Sequence, residues 1–355
     1  MKRRMINCST DAVEVLYPKR DWSRIFKNRA HIRIPSDVPL DLDNYIHDQP
    51  ESIWEIIDRD GIVVHPNESF LTDIQNTPSV IMDYPKDIFL VDQASKRNIA
   101  KTKSGVVVMP YKSAKPTTLK IKWEDRPAAN KGFSWKQFFT SHGRDMSIIP
   151  NNALIITDLY LFDNLEQGIQ NVSDILEEIM PEVLDSEYHL LIVTDISLNK
   201  TVTVDYAVKE IQKIANNIRR TYPLTLEVLF IARHQGKPST PDESALFELY
   251  SASHNRRIYS NSFIITAEHG FNAVKENKYK KGKLQSRWEQ IIRFECNYSS
   301  LDTKYQSINL QPVNIVDGYI EYLNKIVDNA LCVGRYFING VEDQPQNIVN
   351  RLIRY

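Results

Sequence analysis

The sequence predicts an α/β protein built from two α/β domains. A chain of 355 residues is longer than one hydrophobic core usually supports, so two domains are expected. Short apolar runs alternate with segments of helical periodicity in both halves, which indicates strands alternating with helices. A polar, proline-containing segment at 111–130 separates the halves. We therefore predict domains over 1–130 and 131–355, the second with a mixed sheet flanked by helices.

In the first domain, residues 1–50 have clustered Pro and Asp with weak periodicity, which predicts an irregular or partly strand-forming lead. The strands expected after it are 62–65, 79–82, 87–91 and 105–110, and the helices 52–61, 68–77 and 94–105. This alternation predicts a sheet that is at least partly parallel. Residues 119–123 (LKIKW) are a candidate edge strand between the domains.

In the second domain, 153–157 (ALIIT) and 189–194 (HLLIVT) are continuous apolar runs, as buried central strands are. A third strand is expected at 224–232. The predicted helices are 168–184, 204–222, 241–251, 313–331 and 346–353.

The stretch Ser253–Phe271 concentrates residues suited to a phosphate. His254 and Arg256 are two apart, so on an extended strand their side chains would share one face. Arginine supplies paired planar donors, and histidine can attack or carry a proton near neutral pH. Runs at 256–258 and 262–266 predict a hairpin that turns near residues 260–261.

This stretch resembles the HxKx4D signature of the phospholipase D-like superfamily, with Arg256 at the lysine position and Asn261 at the aspartate position. Its exit, EHGF, is similar to the variant in the C-terminal domain of MIT-domain proteins. The resemblance implies a phospholipase D-like C-terminal domain in which His254 is nucleophile or phosphate ligand. Arg256 and Arg257 would neutralise phosphate, and Asn261 would orient the histidine or substrate.

Active members of this superfamily use a second histidine that faces the first. The candidates in this sequence are His142, His269 and the histidine of a second chain in a homodimer.

A basic segment follows the hairpin and contains aromatic residues. Its cations are Lys278, Lys280, Lys281, Lys283 and Arg287, interleaved with Tyr279 and Trp288. Clustered cations release counterions from a phosphate backbone, and aromatic rings offer stacking surfaces. The segment therefore predicts a nucleic-acid-binding face, although a lysine-rich loop can also be simply solvated.

A rival site consists of aspartates that follow predicted strands, namely Asp92, Asp158, Asp163 and Asp195. Parallel strands bring their carboxyl ends to one edge, where carboxylates can hold magnesium or manganese, as in PIN-like nucleases. Aspartate also follows strands as a turn former or helix N-cap, which is the structural alternative.

Composition limits the remaining classes. The net charge is −1 and three cysteines lack metal-binding spacing, which favours a reducing compartment without a zinc site. No apolar run is long enough to span a membrane, so we expect a cytoplasmic protein. Glycine-rich phosphate loops, GxSxG and HExxH are absent from the sequence.

These patterns predict a protein directed at phosphodiesters, as a nuclease or nucleic-acid-binding effector that needs no cofactor. Two alternatives stay open. One is a non-catalytic module that binds nucleic acid, anionic lipid or a protein partner. The other is a metal-dependent nuclease that uses Asp92, Asp158 and Asp195.

Overall fold

The computed structural model describes residues 5–29, 31–34, 53–66, 73–74, 76–99, 103–114, 122–126, 133–140, 149–195, 202–232, 237–271, 274–276, 284–286, 291–296 and 312–354. Within these residues the protein is α/β, as predicted. It has a five-stranded sheet, a nine-stranded sheet and a separate two-stranded ladder.

The five-stranded sheet is formed by the N-terminal part of the chain. Its strands are β1 (Ile6–Cys8), β2 (His31–Ile34), β3 (Val63–Pro66), β4 (Ile88–Val91) and β5 (Val107–Pro110). All pairs are parallel, and the order is β3-β2-β1-β4-β5. The chain winds outward from β1 to β3 and then returns to the other side of β1. Such a reversal leaves a crevice between the carboxyl ends of β1 and β4.

Both faces of this sheet are covered by apolar side chains from helices. The helices are α1 (Thr10–Leu16), α2 (Arg20–Arg29), α3 (Ile53–Arg59) and α4 (Gln93–Ile99), together with a 3-10 helix at Pro78–Asp83. On one face Ile88 and Leu90 pack with Trp22 and Trp54. On the other face Phe89 and Val91 pack with Ile81 and Ile99. The alternating faces of β4 thus explain why its four residues are all buried.

One prediction for this region is wrong and another is confirmed in part. The lead, expected to be irregular or partly strand-forming, contains the strands β1, which is central, and β2, but it also contains the helices α1 and α2, which were not predicted. Residues 79–82 form the 3-10 helix instead of a strand, with Pro78 at its first position, where the missing N–H has no helical partner to lose. The strands expected at 62–65, 87–91 and 105–110 are confirmed. The helix expected at 68–77 lies largely outside the described residues.

The nine-stranded sheet is formed mainly by the C-terminal part. Its strands are β6 (Lys122–Asp125), β7 (Ala153–Thr157), β8 (Tyr188–Thr194), β9 (Leu224–Phe230), β10 (Arg257–Ser260), β11 (Phe263–Ala267), β14 (Ile292–Cys296), β15 (Arg335–Ile338) and β16 (Val341–Asp343). The separate ladder pairs β12 (Val274–Glu276) with β13 (Leu284–Ser286). The order is β16-β15-β9-β8-β7-β10-β11-β14-β6. Strands β7, β8 and β9 are parallel, and every other pair is antiparallel.

Helices cover both faces of this sheet too. They are α5 (Trp135–Thr140), α6 (Leu165–Ile179), α7 (Val204–Ile211) and α8 (Lys213–Asn217) on one face, and α9 (Pro241–Ser253), α10 (Pro312–Asp328) and α11 (Arg351–Arg354) on the other. The chain passes from β7 to β9 along the first face, and α9 then carries it back across the second face to β10. The order β9-β8-β7-β10 therefore repeats the reversal of the first sheet, with β10 antiparallel to β7.

The two sheets meet at their amino edges. The Asn261 side-chain amide donates to the carbonyl oxygens of Pro85, at 3.0 Å, and Gly105, at 2.9 Å, which precede β4 and β5. Asn152, which precedes β7, donates its side-chain N–H to the Ser104 carbonyl at 2.9 Å. The carboxyl edges of the two sheets consequently face away from each other.

The predicted segment between the domains joins the second sheet. Its strand β6 pairs with β14 at the sheet's edge and overlaps the expected edge strand 119–123. Within the described part of the chain, no helix has both the length and the apolar character needed to cross a bilayer.

Candidate functional site

The reversal in the nine-stranded sheet places the front of the Ser253–Phe271 stretch beside the end of β7. Because β10 runs antiparallel to β7, with Arg257 opposite Thr157, the residues before β10 stand next to those after β7. His254 and Arg256 precede β10, and Asp158 and Tyr160 follow β7. We call these four residues the β7–β10 edge. Ligands of open α/β sheets bind at such switch points.

His254 ends helix α9 rather than sitting on a strand. Its backbone is helical, with φ −60° and ψ −20°, and its N–H donates to the Tyr250 carbonyl at 3.2 Å. The exposed ring lies against two tyrosines, with centroid distances of 6.0 Å to Tyr160 and 5.2 Å to Tyr250. The expectation that His254 and Arg256 share one strand face is therefore wrong, because the helix continues to His254 and β10 begins only at Arg257.

Arg256 has an unusual backbone and a well-placed guanidinium. Its φ of 35° lies in the left-handed region, which costs a non-glycine residue roughly 1–2 kcal/mol. The guanidinium carbon lies over the Tyr160 ring, 5.2 Å from the centroid, and Nη1 donates to the Glu268 carbonyl at 2.5 Å. Its Nε is buried and has no hydrogen-bond partner among the described residues. The protein therefore satisfies this guanidinium only in part.

Asp158, at the end of β7, holds the loop that follows β11 through a backbone hydrogen bond. Its Oδ1 accepts the Tyr160 N–H at 3.0 Å, and its Oδ2 accepts the Phe271 N–H at 2.7 Å. Burial raises the pKa of this carboxyl to about 6, against the lowering effect of those two donors and of Arg256. Both oxygens thus serve the backbone, and Asp158 positions the loop that carries the Glu268 carbonyl.

The strand-end aspartates do not gather into one site. Asp195, after β8, is buried and accepts the Tyr250 hydroxyl at 3.3 Å, whereas Asp163 is exposed. Asp92 follows β4 of the other sheet, whose carboxyl edge faces away from this one. Across the described ranges, no three His, Cys, Asp or Glu side chains lie close enough together to hold a metal ion. The alternative site of Asp92, Asp158 and Asp195 is therefore not assembled.

Asn261 is also removed from the β7–β10 edge. It lies fully buried in the turn between β10 and β11, which do form the predicted hairpin. The length of β10 separates it from Arg256 by roughly 13 Å at about 3.3 Å per strand residue. Asn261 joins the two sheets and does not orient His254.

The remaining predicted residues are placed as follows. Arg257 begins β10, half-buried, and its backbone N–H donates to Thr157 Oγ1 at 3.2 Å. His269 is exposed and follows β11 on the same side as Arg256, whose carbonyl accepts the Ala267 N–H at 3.2 Å. His142, Lys278, Lys280, Lys281, Lys283 and Arg287 lie outside the described residues.

Sequence reasoning missed the two tyrosines that contact His254. Tyr160 comes two residues after Asp158, and Tyr250 lies one helical turn before His254 on α9. The spacing of four residues was the available signal for the second, because residues four apart share a helix face.

The fold is α/β, with two sheets in each of which the chain reverses its direction of travel across the strands. At the reversal point of the second sheet, Arg256 and His254 cluster with the Tyr160 ring. A scan of the sequence against models of known protein families finds no match, and a search of curated proteins finds none either.

Proposed function

We propose that the β7–β10 edge binds a phosphodiester of single-stranded nucleic acid without cleaving it. The observation that carries the proposal is that the Tyr160 ring makes two contacts. It lies under the Arg256 guanidinium and against the exposed His254 ring. A planar cation, an imidazole and an aromatic ring are thereby assembled on one edge.

This combination suits a single strand for two reasons. The guanidinium offers planar donors for phosphate oxygens, and its contact with an aromatic ring reduces the freedom that it loses on binding. Unpaired bases stack on aromatic rings and guanidinium planes, whereas bases in a duplex have their faces occupied by neighbours. The imidazole adds a second hydrogen-bonding group beside the guanidinium.

Binding is favoured over cleavage because Asn261, which the phospholipase D-like resemblance places beside the histidine, is displaced. A histidine nucleophile needs a group that protonates the leaving oxygen. Asn261 lies at the opposite edge, and both Asp158 oxygens accept backbone N–H groups. His254 and Arg256 both stand at the β7–β10 edge, which supports phosphate binding there.

A phosphodiesterase is the second candidate, and His269 is the observation that favours it. This histidine is exposed beyond β11 on the same edge as Arg256. Cleavage through a histidine pair would proceed in EDTA, since covalent phosphohistidine chemistry needs no divalent ion.

Fluorescence anisotropy with labelled single-stranded DNA, single-stranded RNA and duplex DNA tests the proposal. We expect single strands to bind more tightly than the duplex, and the labelled strand to stay intact on a gel with or without EDTA. Binding to anionic vesicles or to protein with no affinity for oligonucleotides would reject nucleic acid as the partner. Strand cleavage in EDTA that His269→Ala abolishes would select the phosphodiesterase.

A further inference from the structure

Strand β10 begins with a second arginine, Arg257, directly after the arginine of the β7–β10 edge. Arg257 and Tyr259 are two apart on this strand, so their side chains share one face of the sheet. Thr157 lies opposite Arg257 on β7, and its hydroxyl accepts the Arg257 N–H at 3.2 Å and donates to the Arg257 carbonyl at 3.3 Å. We call Thr157, Arg257 and Tyr259 the β10 cluster.

Two polar atoms of this cluster are buried without a partner. Among the described residues, neither Arg257 Nε nor the Tyr259 hydroxyl makes a hydrogen bond. Tyr259 is fully buried, and its ring stacks on that of Tyr319 from α10 at a centroid distance of 4.8 Å. Burial raises the pKa of the Tyr259 hydroxyl, whereas Arg257 and Thr157 lower it, so the guanidinium lies near this hydroxyl. A buried donor without an acceptor destabilises a protein, and a bound acceptor would remove that cost.

The positive charge of Arg257 also lacks a counterpart. The residue is half-buried, and no carboxylate in the described part of the chain forms an ion pair with it. Enclosing a guanidinium without an anion is unfavourable, because less water solvates the charge. A water molecule can accept from Nε and the hydroxyl, but it does not neutralise the charge. An oxyanion does both.

We propose that the β10 cluster holds the terminal phosphate of a nucleic-acid strand whose adjoining phosphodiester lies on Arg256. This inference rests on the proposed function of the β7–β10 edge, because Arg256 and Arg257 are consecutive and their Cα atoms are about 3.8 Å apart. The two guanidiniums approach different groups. Arg256 lies over the Tyr160 ring, and Arg257 lies near the Tyr259 hydroxyl. Two neighbouring phosphates can therefore be held side by side.

A strand end suits this position better than an internal phosphate. An internal phosphate needs open space on both sides, where the strand enters and leaves. Tyr259, by contrast, is fully buried in the apolar layer that α9 and α10 form with the sheet. A terminal phosphate also carries nearly two negative charges at neutral pH, which strengthens its hydrogen bonds to a guanidinium. The 5′ and 3′ ends share this chemistry, so the experiment must distinguish them.

Fluorescence anisotropy tests the inference with one internally labelled single strand in three forms. The strand carries a 5′-phosphate, a 3′-phosphate or hydroxyls at both ends. We expect a phosphate at one of the two ends to tighten binding to the full chain by at least about tenfold.

Tyr259→Phe removes only the hydroxyl and should reduce this gain to less than about threefold, with the affinity of the hydroxyl-ended strand unchanged. Its melting temperature should not fall, because the lost hydroxyl has no hydrogen-bond partner among the described residues. Tyr206→Phe, at an exposed tyrosine of α7, is the matched control and should keep the full gain. Arg257→Gln is the second variant and should also reduce the gain while sparing the hydroxyl-ended strand.

The possible failures separate this inference from the proposed function. Equal affinity of the three forms would overturn the inference and leave the proposed function standing. Failure of every form to bind would reject both. A gain that survives both Tyr259→Phe and Arg257→Gln would place the terminal phosphate elsewhere and overturn its assignment to the β10 cluster.

Discussion

Gly270 lies directly against the carboxylate of Asp158. A Cβ atom added to Gly270 would stand 2.4 Å from Asp158 Oδ2, and the glycine backbone has φ +99°. Both facts require glycine, because side chains are disfavoured at this φ and the space is taken. The contact closes the loop after β11 and so places the Glu268 carbonyl that receives Arg256.

Gly270→Ala should therefore lower the free energy of unfolding by about 2–4 kcal/mol, as strain at positive φ and a displaced carboxylate add together. Urea unfolding measures the change. Gly318→Ala is the control: apart from the backbone of α10 itself, no described atom lies within 4 Å of its Cβ position, so it should stabilise by up to about 1 kcal/mol. Equal effects of the two substitutions would contradict the packing of Gly270 on Asp158.

Asn261→Ala should destabilise the protein without weakening oligonucleotide binding. It removes the donors to the carbonyl oxygens of Pro85 and Gly105, one bond buried and the other partly buried, which we expect to cost about 2–4 kcal/mol. Asn329→Ala deletes one exposed side-chain hydrogen bond and should change stability by less than about 0.5 kcal/mol. Lost oligonucleotide affinity at unchanged stability would return Asn261 to the binding site.

Glu227 should make stability fall with pH near neutrality. Its Oε1 accepts the Tyr336 hydroxyl at 2.6 Å and the Val349 N–H at 2.8 Å, while Oε2 is buried and has no hydrogen-bond partner in the described part of the chain. Burial raises the pKa of this carboxyl from 4.5 to about 7. The stabilisation from the bound proton is therefore complete below about pH 4.5 and is lost as the pH rises through 7.

Glu227→Gln tests this assignment, because the amide has no proton to lose. Between about pH 6 and 8 the unfolding free energy of the variant should rise relative to the parent by about 1 kcal/mol. The comparison is needed because burial lowers the pKa of His189 to about 4, which acts in the opposite direction. Exposed Glu342→Gln is the control. A pH-independent difference between parent and Glu227→Gln would reject the raised pKa.

Elements that bury a continuous apolar run were predictable from the sequence. Strands β7 and β8 appear at or within one residue of their expected bounds, because a central parallel strand is apolar on both faces. Short strands were not: the three residues of β1 carry too little pattern. The hairpin of β15 and β16 was missed although its Asn339–Gly340 turn, with φ of 48° and 83°, is the strongest short-range hairpin signal.

Three of the four residues of the β7–β10 edge were predictable from the sequence, whereas Tyr160 and the geometry were not. The sequence singled out His254, Arg256 and Asp158, and the structure brings them to one edge. Their grouping depends on β10 lying antiparallel beside β7, a long-range pairing that spacing cannot reveal. Asn261 was misplaced for the same reason. It is five residues after Arg256, and only the position of β10 between them shows that the two residues lie at opposite ends of a strand.

The salt dependence of single-strand binding tests the central proposal most directly. Arg256→Asn removes the guanidinium but tolerates the left-handed backbone, and asparagine is among the few residues that do. Its plot of log affinity against log salt concentration should be shallower than that of the parent by about 0.7, the value for one lost phosphate contact on a single strand.

Tyr160→Leu should weaken binding at all salt concentrations without changing that slope, because it removes stacking and no charge. Lys213→Gln, on α8 in an ion pair with Glu210, is the charge-matched control and should change neither affinity nor slope. The account predicts a reduced slope for Arg256→Asn alone among the three. A slope and affinity for Arg256→Asn equal to those of the parent would contradict phosphate binding at this edge.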